Sequence, residues 1–250
     1  MADIRRDHLA WGQEAYTLRF DWGPAGAAAL APGAAVVVVI DVLSFTTTLS
    51  LAVERGIAVM PYPWRDAAEV AARHDATLAA GRSTAGPGQI SLSPCSLVDP
   101  PPEVRRLVLP SPNGSAISSA LASAGVTVVG ASLRNAAAAA AWVDREAADR
   151  PVAVIAAGER WPDGSLRPAL EDLWGAGAVI DALAGSRSCS PEAGAARAAY
   201  AARGPLALVG SGRELATIGF EGDVTVAAEE SVSEAVPVLR DGWFIDGGSG

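Results

Sequence analysis

Asp41 closes a run of five β-branched residues, Val-Val-Val-Val-Ile, and leads into Thr46, Thr47 and Thr48. A carboxylate at the end of a buried strand is placed to hold a hard cation such as Mg2+. The threonine hydroxyls and helix-start amides that follow can face a phosphate. The same residues also make an ordinary helix cap, so the segment alone leaves both readings open. A second polar loop, Ser111-Pro-Asn113-Gly114-Ser115, brings amides and a hydroxyl to an equivalent place further on, although Asn-Gly is first of all a turn signal. Glu171 and Asp172 stand side by side next to a glycine-rich apolar stretch. Neighbours on a helix project in different directions, so one would reach a metal while the other positions a water or an arginine. Acids in a first helical turn, favoured by the helix dipole, are the plain alternative. Glu159 and Arg160 follow another apolar run, and Arg82, Arg134, Arg160 and Arg213 are the candidates for a bidentate grip on an anion.

Composition removes several other chemistries. All 19 basic residues are arginine, so a Walker P-loop and a pyridoxal Schiff base are both excluded for want of lysine. Two histidines, His8 and His74, leave few parts for a Ser-His-Asp triad or a histidine-rich zinc site, and both are expected at surface positions. Cys95 and Cys189 match no metal-ligand spacing and read as free thiols. Neither has an arginine six positions on, which a cysteine-dependent phosphatase would need. A net charge of -9 argues against a nucleic-acid partner and leaves room for a small anionic substrate in a local pocket. No apolar stretch is long enough to span a bilayer, and the charged opening residues lack the core of a secretory signal, so a cytoplasmic protein without a membrane partner is expected.

The elements that must position these residues alternate. Strands are expected at 36–40, 57–60, 107–109, 126–129 and 152–156, and helices at 46–55, 115–124 and 170–183, with Gly56 and Gly125 as helix stops. The run at 206–209 leads into Gly210-Ser211-Gly212 and a further helix, and 224–227 closes the alternating series. Aligning Asp41 with Pro110 places Thr46 over Ser115 and Gly56 over Gly125, a weak internal repeat. The reading is a three-layer α/β/α fold in one chain unit, 1–250, with two similar α/β halves at 1–105 and 106–250. The Gly-, Pro- and Ser-rich stretch 81–102 is the expected long crossover, and function belongs in loops at the carboxyl ends of strands.

Taken together, 40–48 (Ile-Asp-Val-Leu-Ser-Phe-Thr-Thr-Thr), Ser93-Pro94, Ser111-Pro-Asn-Gly-Ser115, Ala131-Ser-Leu-Arg-Asn135, Ala169-Leu-Glu-Asp172 and Gly175-Ala-Gly177 resemble the 2-phosphosulfolactate phosphatase family, over about 36–237. The resemblance implies a Mg2+-dependent hydrolase that converts 2-phospho-3-sulfolactate to 3-sulfolactate and phosphate, a step toward coenzyme M. It implies Asp41, Glu171 and Asp172 as catalytic residues and metal ligands. Thr46, Thr47, Thr48, Asn113, Gly114, Ser115, Arg134 and Asn135 would be the substrate contacts. A homo-oligomer is compatible with this reading. The chain departs from the family pattern at Ser44, where arginine is usual, at Leu92 and Ser93, where asparagine usually precedes Ser-Pro, and at Gly81-Arg82, where Gly-Glu is common. Haloacid-dehalogenase phosphatases also begin with an aspartate after a strand, but they need a second aspartate where Leu43 stands. The alternative is a non-catalytic protein that binds a small anion on the same scaffold.

Overall fold

A computed structural model describes residues 11–63 and 65–248; His8 and the charged opening stretch lie outside them. β-Branched and apolar runs supply the strands that need burial on both faces. These are β1 (Leu18–Trp22), β2 (Val36–Ile40), β5 (Arg106–Pro110), β6 (Thr127–Ala131) and β7 (Val152–Ala156). With β3 (Ala58–Tyr62), the short β4 (Thr77–Leu78), β10 (Pro237–Arg240) and β11 (Trp243–Asp246) they form one sheet in the order β1-β7-β2-β6-β10-β11-β3-β5-β4. Two further strands, β8 (Glu159–Arg160) and β9 (Leu166–Arg167), make a separate hairpin.

Parallel pairing, as expected, holds on each side of the sheet. The β10–β11 hairpin joins the sides through antiparallel contacts to β6 and β3, so β3, β5 and β4 run opposite to β1, β7, β2 and β6. Side chains alternate along each strand and so feed two layers. Val37, Val39, Leu107, Leu109, Val128 and Phe244 bury one face under α1 (Gly23–Leu30), α2 (Phe45–Glu54) and α4 (Gly114–Ala122). Val36, Val38, Ile40, Val152 and Val154 bury the other under α5 (Ala136–Ala147), α6 (Leu170–Leu183) and α7 (Pro191–Ala201). A smaller patch around Val108 lies beneath α3 (Ala67–Arg73). The result is the three-layer α/β/α architecture. α4 packs on β2 and β6 as well as on β3 and β5 and so spans the two oppositely running sides of the sheet.

Two expectations fail. Residues 206–209 form no strand but a 3-10 turn, Leu206–Leu208, ahead of α8 (Gly210–Thr217). Residues 224–227 belong to helix α9 (Glu221–Ala227), not to a closing strand. Both runs carry β-branched or aliphatic residues, but Leu206, Val209 and Val224 bury their side chains in the helical layer, and packing overrides local propensity. The long loop at 81–102 is interrupted by the 3-10 turn Pro94–Leu97 and by one bridge from Ala80 to Ser91. Among the described residues no helix is long and apolar enough to cross a membrane.

Candidate functional site

β2 delivers Asp41 into the interior, where the residue is 5% exposed. Its Oδ1 accepts the Phe45 N–H at 3.2 Å, and its Oδ2 accepts the Gly114 N–H at 2.8 Å and the Ser111 hydroxyl at 3.4 Å. One carboxylate thus caps the first turns of both α2 and α4, the two helices that the weak repeat aligns. Gly114 is required by distance: a Cβ there would lie 2.6 Å from the Phe45 ring and 2.7 Å from Asp41 Oδ2. The threonines hold the connecting loop. Thr46 Oγ1 accepts the Asp41 N–H at 2.9 Å and donates to the Asp41 carbonyl at 2.8 Å, Thr47 donates to the Val42 carbonyl and Thr48 to the Leu92 carbonyl, each at 2.7 Å.

α6 brings the second acidic segment to the same place. Asp172 Oδ1 accepts the Val42 N–H at 2.7 Å and Oδ2 the Gly158 N–H at 2.8 Å, so this carboxylate ties the loop after β2 to the loop after β7. Gly175 permits the approach, since a Cβ there would meet Val42 at 2.7 Å and Ile40 at 2.9 Å. Glu171, in the same first turn, is buried beside the Ser211 hydroxyl. Glu159 lies within the field of both Asp41 and Glu171 and is paired with Arg167 at 2.5 Å, whose guanidinium covers the Trp161 ring at 5.4 Å.

These groups titrate abnormally. Burial pushes Asp41 up, against the pull of the Gly114 and Phe45 amides, and the Glu159 charge adds to the rise. Asp172 is pushed well above the usual carboxylate range, first by burial and then by the Asp41 and Glu171 charges. Burial also raises Glu171, opposed by the Ser211 hydroxyl. Buried acids that repel one another are the situation a divalent cation relieves. Among the described residues, however, no three His, Cys, Asp or Glu side chains are arranged as a ready-made metal cage, and every oxygen of Asp41 and Asp172 already takes a backbone N–H. Mg2+ is commonly held by one or two carboxylates with water and substrate phosphate oxygens completing its shell, a mode that needs no ready-made cage and only the lone pairs those oxygens keep.

The other candidates are placed as follows. Asn113 lines a small crevice with Pro24, Glu159 and Arg160, while the buried Ser115 hydroxyl donates to the Tyr62 carbonyl at 3.0 Å. Asn135 spends its amide on Ser132, Gly130 and Ala235. Arg134 pairs with Glu229 and with Glu54, the last residue of α2, about 15 Å of helix away from the Asp41 cap. Arg213 is exposed. Sequence reasoning did not single out Arg167, the Gly158 amide or Asp223. Each acquires its place only through partners from other elements, and no local pattern marks them.

A sequence profile of the 2-phosphosulpholactate phosphatase family matches residues 27–242. The chain belongs to the 2-phosphosulfolactate phosphatase family. Within that family it is 32% identical over 214 residues to a probable 2-phosphosulfolactate phosphatase of Thermus thermophilus, covering 82% of this chain and 88% of the relative. It is 31% identical over 230 residues to a protein of the same description from Deinococcus radiodurans, covering 86% and 91%. The family match contains every residue of the carboxylate site, from Asp41 to Asp172. A member of a family of phosphoric monoester hydrolases is therefore built around buried acids at strand and helix ends.

Proposed function

We propose that the protein is a Mg2+-dependent phosphatase that hydrolyses a small phosphorylated acid, 2-phospho-3-sulfolactate by the name its family carries, to 3-sulfolactate and phosphate. One observation carries the reading: a buried aspartate held by the amides of two helix starts, beside a second buried aspartate, Asp172, that lies in the field of both Asp41 and Glu171. Asp41, with Asp172, would hold the cation, which when bound neutralises phosphate oxygens and lowers the pKa of water. The chain's own residues supply the rest. Asp41 takes the first amides of α2 and α4 and so fixes the relative position of the two helix starts, whose positive dipole ends favour an anion nearby. Glu171 is the acid least tied to backbone amides, and its raised pKa suits it to hold and exchange a proton at its carboxylate with the water or the leaving oxygen. Water oxygen bonds to phosphorus, the ester P–O bond breaks, and the leaving oxygen departs as an alcohol once protonated.

The complete engagement of Asp41 and Asp172 by backbone amides favours a second reading, an anion-binding protein without turnover. Phosphate release from 2-phospho-3-sulfolactate, measured with Mg2+ and with chelator, separates the two. The expected outcome is metal-dependent release that falls at least about 100-fold in Asp41→Asn; binding without release in the wild type would retire the enzyme reading. The cytoplasmic site of action is supported by the two unpaired cysteines, and the place in coenzyme M synthesis by the resemblance.

A further inference from the structure

The guanidinium of Arg82 reaches the start of α2 from the 81–102 loop. Its Nη2 donates to Ser44 Oγ at 2.5 Å, and Ser44 is the N-cap of α2, three residues beyond Asp41. Its Nε lies 3.2 Å from Asp223 Oδ2, and its plane sits 5.4 Å from the Phe220 ring centroid. Asp223, on α9, is 1% exposed. Its Oδ1 accepts the Ser93 hydroxyl at 2.5 Å and the Cys95 N–H at 3.4 Å. A buried carboxylate, an aromatic face and a serine therefore fix the orientation of one arginine.

A guanidinium has five N–H donors. Ser44 occupies one on Nη2, Nε lies at ion-pair distance from Asp223 without a hydrogen bond, and among the described residues no hydrogen bond uses Nη1. The side chain is 18% exposed, while Nε is sealed from solvent. Nη1 and the second N–H of Nη2 are the donors left beside the sealed Nε, and paired guanidinium N–H groups of this kind grip a planar or tetrahedral oxyanion through two parallel bonds. Three residues of chain separate Ser44 from Asp41, a span of at most about 11 Å, within reach of a three-carbon phosphorylated diacid.

We propose that Arg82 is the specificity-determining residue that binds the anionic group of the substrate that is not transferred, its sulfonate or carboxylate, and that Asp223 is the residue that positions it. The inference rests on the phosphatase reading for its substrate class but not for its test. Arg82 bonds the N-cap of the helix whose first amide Asp41 holds, so phosphate and second anion are assigned to neighbouring positions at one helix start.

The test compares wild type, Arg82→Gln, Arg82→Lys and Asp223→Asn on 2-phospho-3-sulfolactate, 2-phospholactate and p-nitrophenyl phosphate, with calorimetric binding of 3-sulfolactate alongside. The ratio of kcat/KM for 2-phospho-3-sulfolactate over p-nitrophenyl phosphate should fall at least tenfold in Arg82→Gln, chiefly through KM, with partial recovery in Arg82→Lys and a smaller fall in Asp223→Asn. If 2-phospholactate follows the sulfonated substrate, Arg82 holds the carboxylate; if it follows p-nitrophenyl phosphate, Arg82 holds the sulfonate. An unchanged ratio in a folded Arg82→Gln protein overturns the proposal and leaves a structural tie between the loop and α9. Should the wild type release no phosphate from any ester, the phosphatase reading fails by itself. Calorimetry then decides for Arg82, with at least tenfold weaker 3-sulfolactate binding in Arg82→Gln supporting it and unaltered or absent binding overturning it.

Discussion

The two ends of helix α2 treat charge in opposite ways. At its C-terminal end Glu54 meets Arg134, which also takes Glu229, so the buried cation there is matched by two carboxylates. At its N-terminal end Asp41 is bonded to backbone amides, and Asp172 and Glu171 lie in the same field, with none of the three in an ion pair among the described residues. Matched charge is a way to fix structure. Buried charge left unmatched raises pKa values and has no structural return, and such places concentrate in sites that meet a ligand. Arg82 and Asp223 pair at Ser44 too, but the acids on which the proposed chemistry rests are the unmatched ones, whereas Glu54 and Glu229 at the other end neutralise Arg134.

The sharpest way to break that comparison is Gly114→Ala. The added methyl would lie within 2.8 Å of Asp41 Cβ and Oδ2 and of the Phe45 ring, so the carboxylate or the α4 start has to move. Displacement of a positioned group by about 1 Å can cost about 100-fold in rate, while overpacking of this kind costs about 1–3 kcal/mol in stability. Steady-state kinetics beside a denaturant titration should show a loss of activity far larger than the loss of fold. Full activity in a destabilised protein would place the chemistry elsewhere.

Arg134→Met probes the other end and should give the reverse pattern. Its partners are partly exposed, Glu54 at 32% and Glu229 at 47%, so once the arginine is gone both carboxylates can hydrate. The expected cost is about 1–2 kcal/mol, below that of breaking a fully buried pair. Because Arg134 stands a helix length from Asp41, kcat/KM should stay within about twofold of wild type. A rate loss greater than the stability loss would show that both ends serve the substrate.

How much of this was legible in the sequence depends on what each residue depends on. Val36–Ile40, Val152–Ala156 and Leu170–Leu183 are readable because continuous apolar runs or helical periodicity fix them locally. The β10–β11 hairpin passed unseen: four-residue strands carry little pattern, and their meaning lies in bridging β6 to β3. Asp41, Gly114 and Asp172 stood out as polar or small residues at the edges of apolar elements, and the fold bonds Asp41 to Gly114 and Asp172 to Val42, the residue after Asp41. Arg134 and Asn135 looked alike from sequence, as polar residues after a strand, yet their bonds go to Glu54, Glu229 and backbone carbonyls. Arg82 stood among four candidate arginines with nothing local to rank it, and Asp223 had no signal, since an ion pair between a loop and a distant helix is visible only once both have folded.

The most direct test of unmatched charge is the pH dependence of stability. Asp172 has its pKa raised in the folded state by burial and by the Asp41 and Glu171 charges. The native protein therefore binds more protons than the unfolded chain between the ordinary aspartate value and the raised one. Stability from this group is complete at low pH and is lost as pH rises through that window. Asp172→Asn removes the titration but turns an amide NH2 toward a backbone N–H, a penalty that does not vary with pH. In chelator, the gap in Tm between wild type and Asp172→Asn should narrow as pH rises, by about 1.4 kcal/mol for each tenfold change in proton affinity, or about 3–5 °C. With Mg2+ present the gap should reopen at high pH, because a cation that binds only the ionised, folded protein stabilises it by about 2.7 kcal/mol at a concentration 100 times its Kd. A gap that ignores both pH and Mg2+ would mean that Asp172 carries its charge at no cost, and the contrast between the two ends of α2 would lose its physical basis.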